Sequence, residues 1–294
     1  MKYLAPSTVE EAAGLLAADP GSQVFAGATD LVPQMRAGRL APSALIDLKK
    51  VDRLVGVSSS DSGWVIGAAT PTVRITENEA LLAEMPGLVE AAGLIGSDQV
   101  QSRSSLGGNL CNASPAADSV PAMVVNGARA VIASGSGTRT IPVEEVTTGP
   151  GQTSLTPGEF IVEFEIDHPP ANTGDAYLRL IPRTEMDIAV VGVGARITVD
   201  DSGLCTAATI ALGAVAPTVV RVPDAEAALV GSNLDDAALA AAADAAQAAC
   251  NPIDDKRGTI AYRRHVAGVL TRRTVAKAAE RAAPNQAANN NGGA

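Results

Sequence analysis

Cysteine and histidine are scarce in this chain, three and two among 294 residues, and each scarcity excludes a class of function. Cys111, Cys205 and Cys250 are far apart and odd in number, so they supply neither a disulfide framework nor a C-x-x-C metal or cluster site. Redox metals, if the function needs them, belong to other chains. His168 stands beside Pro169 and Pro170, and His265 lies in a basic segment. Neither has an H-x-H or H-x-x-x-H partner or a neighbouring Ser or Cys nucleophile. No metal site and no catalytic acid or base is expected. Long apolar runs are missing too, none reaching the roughly 18 residues of a membrane span. The N-terminus MKYLAPSTVEEAAGLL lacks the charged start and apolar stretch of a secretion signal, so a cytoplasmic location without membrane insertion is expected. A surplus of positive charge is absent, and the formal net charge of −10 argues against a nucleic-acid partner.

What is present suits a soluble protein of two or three domains, 46% hydrophobic and 18% charged. Ser7-Thr8-Val9-Glu10 reads as a capping box opening a helix that ends near Asp19-Pro20-Gly21. Gln23 to Ala26 reads as a strand, followed by Gly27-Ala28-Thr29-Asp30 and a turn of helix. Further strands are expected over 44–48 and 64–69. A helix interrupted at Pro86-Gly87 is expected over 79–95, and a hairpin turns across Gly135-Ser136-Gly137. In FIVEFEI, residues 160–166, Phe160, Val162, Phe164 and Ile166 alternate as one side of a half-buried strand that Pro169-Pro170 stops. Beyond lie two long strands, 188–199 and 206–222, and then helices. The last helix is basic, with eight of the 22 Lys and Arg between Lys256 and Arg281. It reads as a solvated face or as a docking face for an acidic partner chain.

Two bare stretches stand out. SRSSLGGNLCNASPAAD, residues 102–118, has no aromatic residue, and its Gly107-Gly108 would weaken a helix or a strand. By itself such a pair is a tight turn or bulge as readily as a phosphate cradle. VFAGATDL, residues 24–31, shares its grammar of small residues, glycine, a hydroxyl or amide, and an acid. Two such loops, with bare N–H groups and with Thr29, Ser105 and Asn109 as side-chain donors, could clamp a pyrophosphate. Asp30 and Asp118 are then candidates for sugar hydroxyls, because carboxylates repel phosphate. The Rossmann fingerprint is absent: Gly192-Val193-Gly194 lacks a third glycine and reads as strand.

AGATDLVPQMRAG, ALIDLKKVDRL, WVIGAAT, DQVQSRSSLGGNLCNASPAADSVPA, SGTRTIPVEE and AYLRLIPRTEMDIAVVGVGARI, in that order, resemble the FAD-binding medium subunit of the molybdenum hydroxylases. That family includes xanthine dehydrogenase and the carbon monoxide, nicotine and hydroxybenzoyl-CoA enzymes. The resemblance implies an α+β fold in which a two-part FAD-binding domain of the vanillyl-alcohol-oxidase (PCMH) type fills residues 1–170, with subdomains near 1–55 and 56–170. A smaller α+β domain of three antiparallel strands with helices follows over 171–283, and the polar tail 284–294 reads as disordered. The resemblance also implies that Val24, Phe25, Ala26, Gly27, Ala28, Thr29, Asp30 and Leu31, together with Ser105, Leu106, Gly107, Gly108 and Asn109, wrap the pyrophosphate of a non-covalent FAD. Asp118 would reach a sugar hydroxyl. Ile95 would sit against the isoalloxazine ring, Ile161 near the adenine or flavin edge, and Arg179 where the family often has lysine. For Ile95 and Ile161 plain core packing is the alternative. Where many relatives read Ala-Gly-Gly this chain has Ala26-Gly27-Ala28, which fits if Ala28 keeps a negative φ.

By this resemblance the chain is an electron-transfer subunit. FAD would take electrons from iron–sulfur clusters on a small partner and deliver them to NAD, a quinone, oxygen or another acceptor, while a large partner carries the molybdenum cofactor. A dimer of heterotrimers is the expected assembly. Two alternatives remain open: a stand-alone flavin reductase of the same fold, like UDP-N-acetylenolpyruvoylglucosamine reductase, and a nucleotide-binding module without redox chemistry.

Overall fold

The computed structural model describes residues 1–283, and the tail expected to be disordered, 284–294, lies outside the described residues. The chain opens with β1 (Lys2–Leu4), α1 (Val9–Ala18), β2 (Gln23–Phe25), α2 (Leu31–Arg36) and β3 (Ala44–Asp47). Thr8, not Ser7, caps α1: its side chain accepts from the N–H of Glu11, whose carboxylate reaches back to the Ser7 N–H at 2.8 Å. The box is thus displaced by one residue. The three strands form a parallel sheet in the order β1-β3-β2, so α2 is the crossover between neighbouring strands and the 26–30 loop leaves the carboxyl end of β2. In parallel sheets that end faces ligands.

Next come β4 (Val57–Ser60), β5 (Gly63–Gly67), α3 (Thr72–Thr76), α4 (Glu79–Glu84), α5 (Pro86–Gly93), α6 (Asp98–Gln101), α7 (Leu106–Cys111) and α8 (Ser119–Val125). The hairpin β6 (Arg129–Ser134) and β7 (Gly137–Pro142) follows, then the short pair β8 (Thr147–Gly149) and β9 (Gln152–Thr153), and finally β10 (Phe160–Ile166). A five-stranded sheet runs β4-β5-β10-β6-β7, so the last strand made is the central one. Centrality explains why β10 is buried along nearly its whole length rather than on one side. Its pairing with β6 shifts register between Ile161 and Glu163, and the bulge reverses the alternation. Phe160 and Val162 join the core beneath the parallel sheet with Ala12, Ile46 and Leu54, whereas Ile161, Phe164 and Ile166 enter the larger core with Leu88, Leu106 and Met123. The four residues expected on one side therefore serve two cores.

The remaining strands are β11 (Thr173–Leu180), β12 (Val191–Val199), β13 (Cys205–Gly213) and the two-residue β14 (Val220–Arg221), an antiparallel sheet in sequence order. The stretch expected as one long strand over 206–222 is split, because a turn near Ala214, at φ +63°, and Pro217 interrupt it. Helices α9 (Pro223–Leu229), α10 (Asp236–Ala249) and α11 (Ile260–Ala282) cover this sheet. Basic α11 is not simply a solvated face. Arg263 is buried and donates to the Val190 carbonyl and to Asp255, while Lys277 and Arg281 both grip Glu90 of α5. Asp175 of β11 adds a second tie, accepting from the N–H groups of Gly87 and Leu88 at 2.9 and 3.0 Å and so capping α5. No described helix is long and apolar enough to cross a membrane.

His168 titrates in a legible way. Its Nδ1 lies 2.8 Å from Glu84 Oε2 and its Nε2 2.8 Å from the Ser60 carbonyl, both acceptors, so only the doubly protonated ring satisfies both. The Glu84 hydrogen bond chiefly raises the histidine above its ordinary value. A raised histidine stabilises the fold fully below its unfolded value, about 6.5, and loses that contribution as pH rises through the folded value. The single tryptophan, Trp64, donates to the same Glu84 at 2.9 Å and meets the imidazole edge-on. Trp64 fluorescence is therefore expected to titrate above pH 6.5, roughly, and His168→Gln to abolish that transition. An unchanged titration in the variant would show that His168 is not the group responsible.

Candidate functional site

The two bare stretches meet, and β10 supports the second of them through β5. The Val162 carbonyl accepts from Ala68 N–H at 2.8 Å, and the Ala68 carbonyl accepts from Gly107 N–H at 3.1 Å. Gly107 has no room for a side chain, since a Cβ there would stand 2.6 Å from the Ala68 oxygen. The second stretch is accordingly not a loop of positive-φ glycines. Ser105 is an N-cap in extended conformation, its hydroxyl accepting from Gly108 N–H at 3.1 Å, and Leu106 to Cys111 are the helix α7. Both glycines sit in its first turn with ordinary φ. Their value is the missing side chain: Gly107 lets the helix press on the Ala68 peptide, and a Cβ on Gly108 would meet only the Ser105 hydroxyl, at 3.3 Å.

Opposite α7 stands the loop after β2. A Cβ on Gly27 would overlap the Arg103 carbonyl, so this glycine lets the loop lie against the segment leading into α7. Ala28 has φ +59°, the left-handed region, so the condition of a negative φ under which alanine fits in place of glycine is not met. The loop must reverse within one residue so that α2 can start, and the Ala28 carbonyl accepts the Val32 N–H of that helix at 3.0 Å. Left-handed alanine costs roughly 1–2 kcal/mol, partly offset by the flexibility glycine adds to the unfolded chain. Ala28→Gly is therefore expected to raise stability by roughly 0.5–1 kcal/mol, read as a small increase in Tm; a decrease would show that the strain is illusory.

Between these walls is a cavity of about 180 Å³ lined by every residue from Gln23 to Leu31 and by Ile95, Ser105, Gly108 and Asn109. A neighbouring cavity of about 590 Å³ shares Gln23, Val24, Phe25, Ala26, Gly108 and Cys111 with it and continues to Gly107, Leu155, Glu159 and Ile161. The two cavities adjoin as one trough, and Gly108 lines both. The donor set is plain. The main-chain N–H groups of Gly27, Ala28, Thr29, Asp30 and Leu31 make no hydrogen bond within the described residues, nor do those of Ser105 and Leu106. Unpaired N–H groups on a cavity wall suit an anion. Gly107, Gly108 and Asn109 donate within the chain instead, to Ala68, to the Ser105 hydroxyl and to the Ser105 carbonyl. Asn109 is aimed by Ser119, whose hydroxyl donates to Asn109 Oδ1 at 2.7 Å and leaves the amide N–H₂ free. The Asp30 carboxylate has no partner among the described residues, and desolvation raises its carboxyl above the ordinary range.

Leu106, Asp118 and Arg179 line neither cavity. Leu106 is core. Asp118 is 8% exposed and accepts from Tyr177 Oη at 2.9 Å and from Arg179 Nη1 at 2.5 Å, which ties the start of α8 to β11. Burial pushes the Asp118 carboxyl up to about 6 in spite of the guanidinium. Arg179 Nε is a buried donor without an acceptor among the described residues, an arrangement costing about 1–3 kcal/mol unless something accepts from it. Gln34 and Asn112 also line the smaller cavity, although nothing in the sequence singles them out, and so does Cys111, the one cysteine within a motif near the expected flavin. Gln34 Nε2 donates to Asn112 Oδ1 at 3.1 Å and joins α2 to the end of α7. Cys111 is exposed and lines both cavities, and desolvation of the thiol pushes it up to about 12, which disfavours the thiolate. No group of metal-ligating side chains occurs among the described residues.

A family model described as the FAD binding domain in molybdopterin dehydrogenase matches residues 1–169, and one described as the CO dehydrogenase flavoprotein C-terminal domain matches residues 176–278. The chain is 32% identical to the carbon monoxide dehydrogenase medium chain of Afipia carboxidovorans, covering 95% of this chain and 97% of that one. It is 33% identical to the 6-hydroxypseudooxynicotine dehydrogenase complex subunit alpha of Paenarthrobacter nicotinovorans, covering 97% and 96%. Among solved structures it is similar to carbon monoxide dehydrogenase from Hydrogenophaga pseudoflava, with a TM-score of 0.91 and 34% identity, over 96% of this chain and 98% of that one. It is also similar to quinoline 2-oxidoreductase from Pseudomonas putida 86, with a TM-score of 0.90 and 30% identity over the same shares.

Proposed function

Since this chain belongs to the family of FAD-binding medium subunits of molybdenum hydroxylases, we propose that it is the electron-transfer subunit of such an enzyme. It holds FAD non-covalently in the trough and relays electrons from iron–sulfur clusters on a small partner to NAD, a quinone, oxygen or another acceptor. The supporting observation is that five main-chain N–H groups without a partner among the described residues, Gly27 to Leu31, belong to residues that line the same cavity as the side-chain-free Gly108. A pyrophosphate needs that many donors, and a Cβ would fill the space it enters.

In this reading the protein's own groups bind and orient. The N–H groups of Gly27 to Leu31, with that of Ser105 and the Asn109 amide, hold the two phosphates. Asp30 is suited to a hydroxyl donor rather than to phosphate. Ile95 at one end of the trough and Ile161 at the other offer apolar contact and exclude water. Asp118 fixes the Arg179 guanidinium rather than meeting a sugar directly, and the pair supports the site from outside the trough. FAD supplies the capacity to take up and release electrons, and the chain contributes no acid or base to that chemistry.

Substrate hydroxylation belongs to a large partner that carries the molybdenum cofactor, in a heterotrimer that pairs into a dimer of heterotrimers in the cytoplasm. Three unpaired thiols suit that reducing compartment. The division into a 1–170 flavin domain and a 171–283 domain is part of the same reading, as is the PCMH character of the first. The stand-alone reductase is not favoured, because the resemblance to medium chains runs through both halves of the chain.

Acid precipitation is expected to release FAD to the supernatant, identified by mass. FMN, or colour kept in the pellet, would contradict the two-walled clamp or the non-covalent assignment respectively. The chain alone is expected to show no flavin reduction by purines, N-heterocycles or carbon monoxide, and addition of both partners to restore it. Turnover by the isolated chain would reject the subunit reading.

A further inference from the structure

Lys49 lines neither cavity, yet three contacts fix its ammonium against the base of the first loop. Its Nζ donates to the Ala26 carbonyl at 2.8 Å and to Asp47 Oδ1 at 2.6 Å, and it lies 4.3 Å from the centre of the Phe25 ring. Asp47 is itself held. Its other oxygen accepts from Tyr3 Oη at 2.6 Å, and the carboxylate is 5% exposed. The chain of contacts therefore runs from β1 through the end of β3 to the single peptide on which the loop turns.

That peptide links Ala26 to Gly27 and is trans, so its C=O and N–H point in opposite directions. Whatever captures the carbonyl aims the amide. We propose that Lys49 is a positioning residue for the anion: by holding the Ala26 carbonyl it turns the Gly27 N–H, and the row of N–H groups that follows, toward the trough. Without Lys49 the carbonyl has no other partner among the described residues, and the peptide is free to rotate its oxygen toward the phosphates. Gly27, lacking a Cβ, offers little resistance to that rotation. Lys49 acts through geometry rather than by touching the ligand, and its charge is already matched by Asp47. The inference rests on the assignment of the trough to FAD.

The test uses the full chain with whatever subunits co-purify, stripped of flavin with bromide and titrated with FAD. The wild type must rebind FAD; failure there would count against the assignment of the trough and not against Lys49. Lys49→Met is expected to weaken FAD binding about tenfold, the worth of one oriented charge-assisted hydrogen bond. Lys49→Arg should recover most of this. The Tm of the flavin-free Lys49→Met chain should stay within about 4 °C of wild type, because a partly exposed ion pair contributes little. The deficit should also be equal at low and high salt. Wild-type affinity in Lys49→Met would overturn the proposal. So would a deficit that vanishes at high salt, which would mean simple attraction between charges. If the variant does not fold, wild-type chain labelled with ¹⁵N-glycine decides: the Gly27 amide should gain protection from hydrogen exchange when FAD binds, and an amide that exchanges equally fast with and without FAD would sink the idea.

Discussion

Gly108→Val is expected to leave the chain folded and empty of FAD. A Cβ at this position meets nothing but the Ser105 hydroxyl, at 3.3 Å, so the fold has space for it. Valine is also no worse than glycine inside a helix, differing by a few tenths of a kcal/mol at most. The branched side chain would nevertheless project where both cavities are lined by Gly108, the position proposed to lie against the pyrophosphate. Bound FAD should fall from one per chain to an undetectable level, while the Tm of the flavin-free protein moves by only a few degrees, roughly. Gly107→Val is the contrasting control. Its Cβ would press on the Ala68 carbonyl at 2.6 Å and on the Ala68 methyl at 2.9 Å, so it should cost about 1–3 kcal/mol or more through overpacking. If Gly108→Val kept wild-type FAD, the assignment of the trough would be wrong.

Arg179→Met should produce the largest loss of stability of any single substitution considered, and the loss should depend on pH. The guanidinium is the only positive charge bonded to buried Asp118 among the described residues, and breaking such a pair from one side costs about 3–5 kcal/mol. Asp118 is already pushed up to about 6, and removal of Arg179, which lowers it, raises it further. The folded variant then binds a proton that the unfolded chain, with an ordinary carboxyl near 3.9, does not. Stability must rise as pH falls through the raised folded value, and the gain is complete below the unfolded one. The gap in Tm between wild type and Arg179→Met should be wide at pH 8 and narrow at pH 5. Other acids work the opposite way: Glu159, held down to about 2 chiefly by Arg139, loses its contribution as pH falls. For that reason the wild-type-minus-variant difference is the quantity to follow. Adding Asp118→Asn to the variant should recover most of the loss at pH 8. A pH-independent gap, or no recovery in the double variant, would show that the pair is not what Arg179 supports.

The order of elements was readable because punctuation marks it: the Pro86 break between α4 and α5, the Gly135-Ser136-Gly137 hairpin, and the stop at Pro169-Pro170. Both stretches that build the trough were readable for a similar reason, since a run without large side chains near glycine is unusual outside ligand walls. What they do in detail was not. Alternation along FIVEFEI cannot reveal a bulge, which depends on how β6 pairs with it. The second stretch looked like a loop because Gly107-Gly108 is poor helix material, and only packing against Ala68 makes a helix there worthwhile. The φ of Ala28 was left open by the sequence, and the chain reversal ahead of α2 overrides alanine's preference for a negative value. Asp118 and Arg179, far apart in sequence, gave no sign that each is the other's partner, and Lys49 sat unnoticed in an ordinary KK pair after β3.

The central place of β10 has a consequence for how the subunit is made. On the ribosome, β5 and β6 emerge long before the strand that must lie between them, and until Phe160 to Ile166 follow, each shows an unpaired edge. During that interval the hydrogen bond from Ala68 to Val162 does not exist and Phe160 and Ile161, which line the larger cavity, are missing, so the trough is incomplete. A nascent chain therefore cannot capture its nucleotide early as an aid to folding. Loading has to wait until most of the sequence has been translated, and distant strand pairing of this kind is slow and exposes edges that aggregate. In a cell synthesising the subunit faster than it closes this sheet, the excess would accumulate as colourless, sticky polypeptide, and slower translation would yield more yellow protein per chain made.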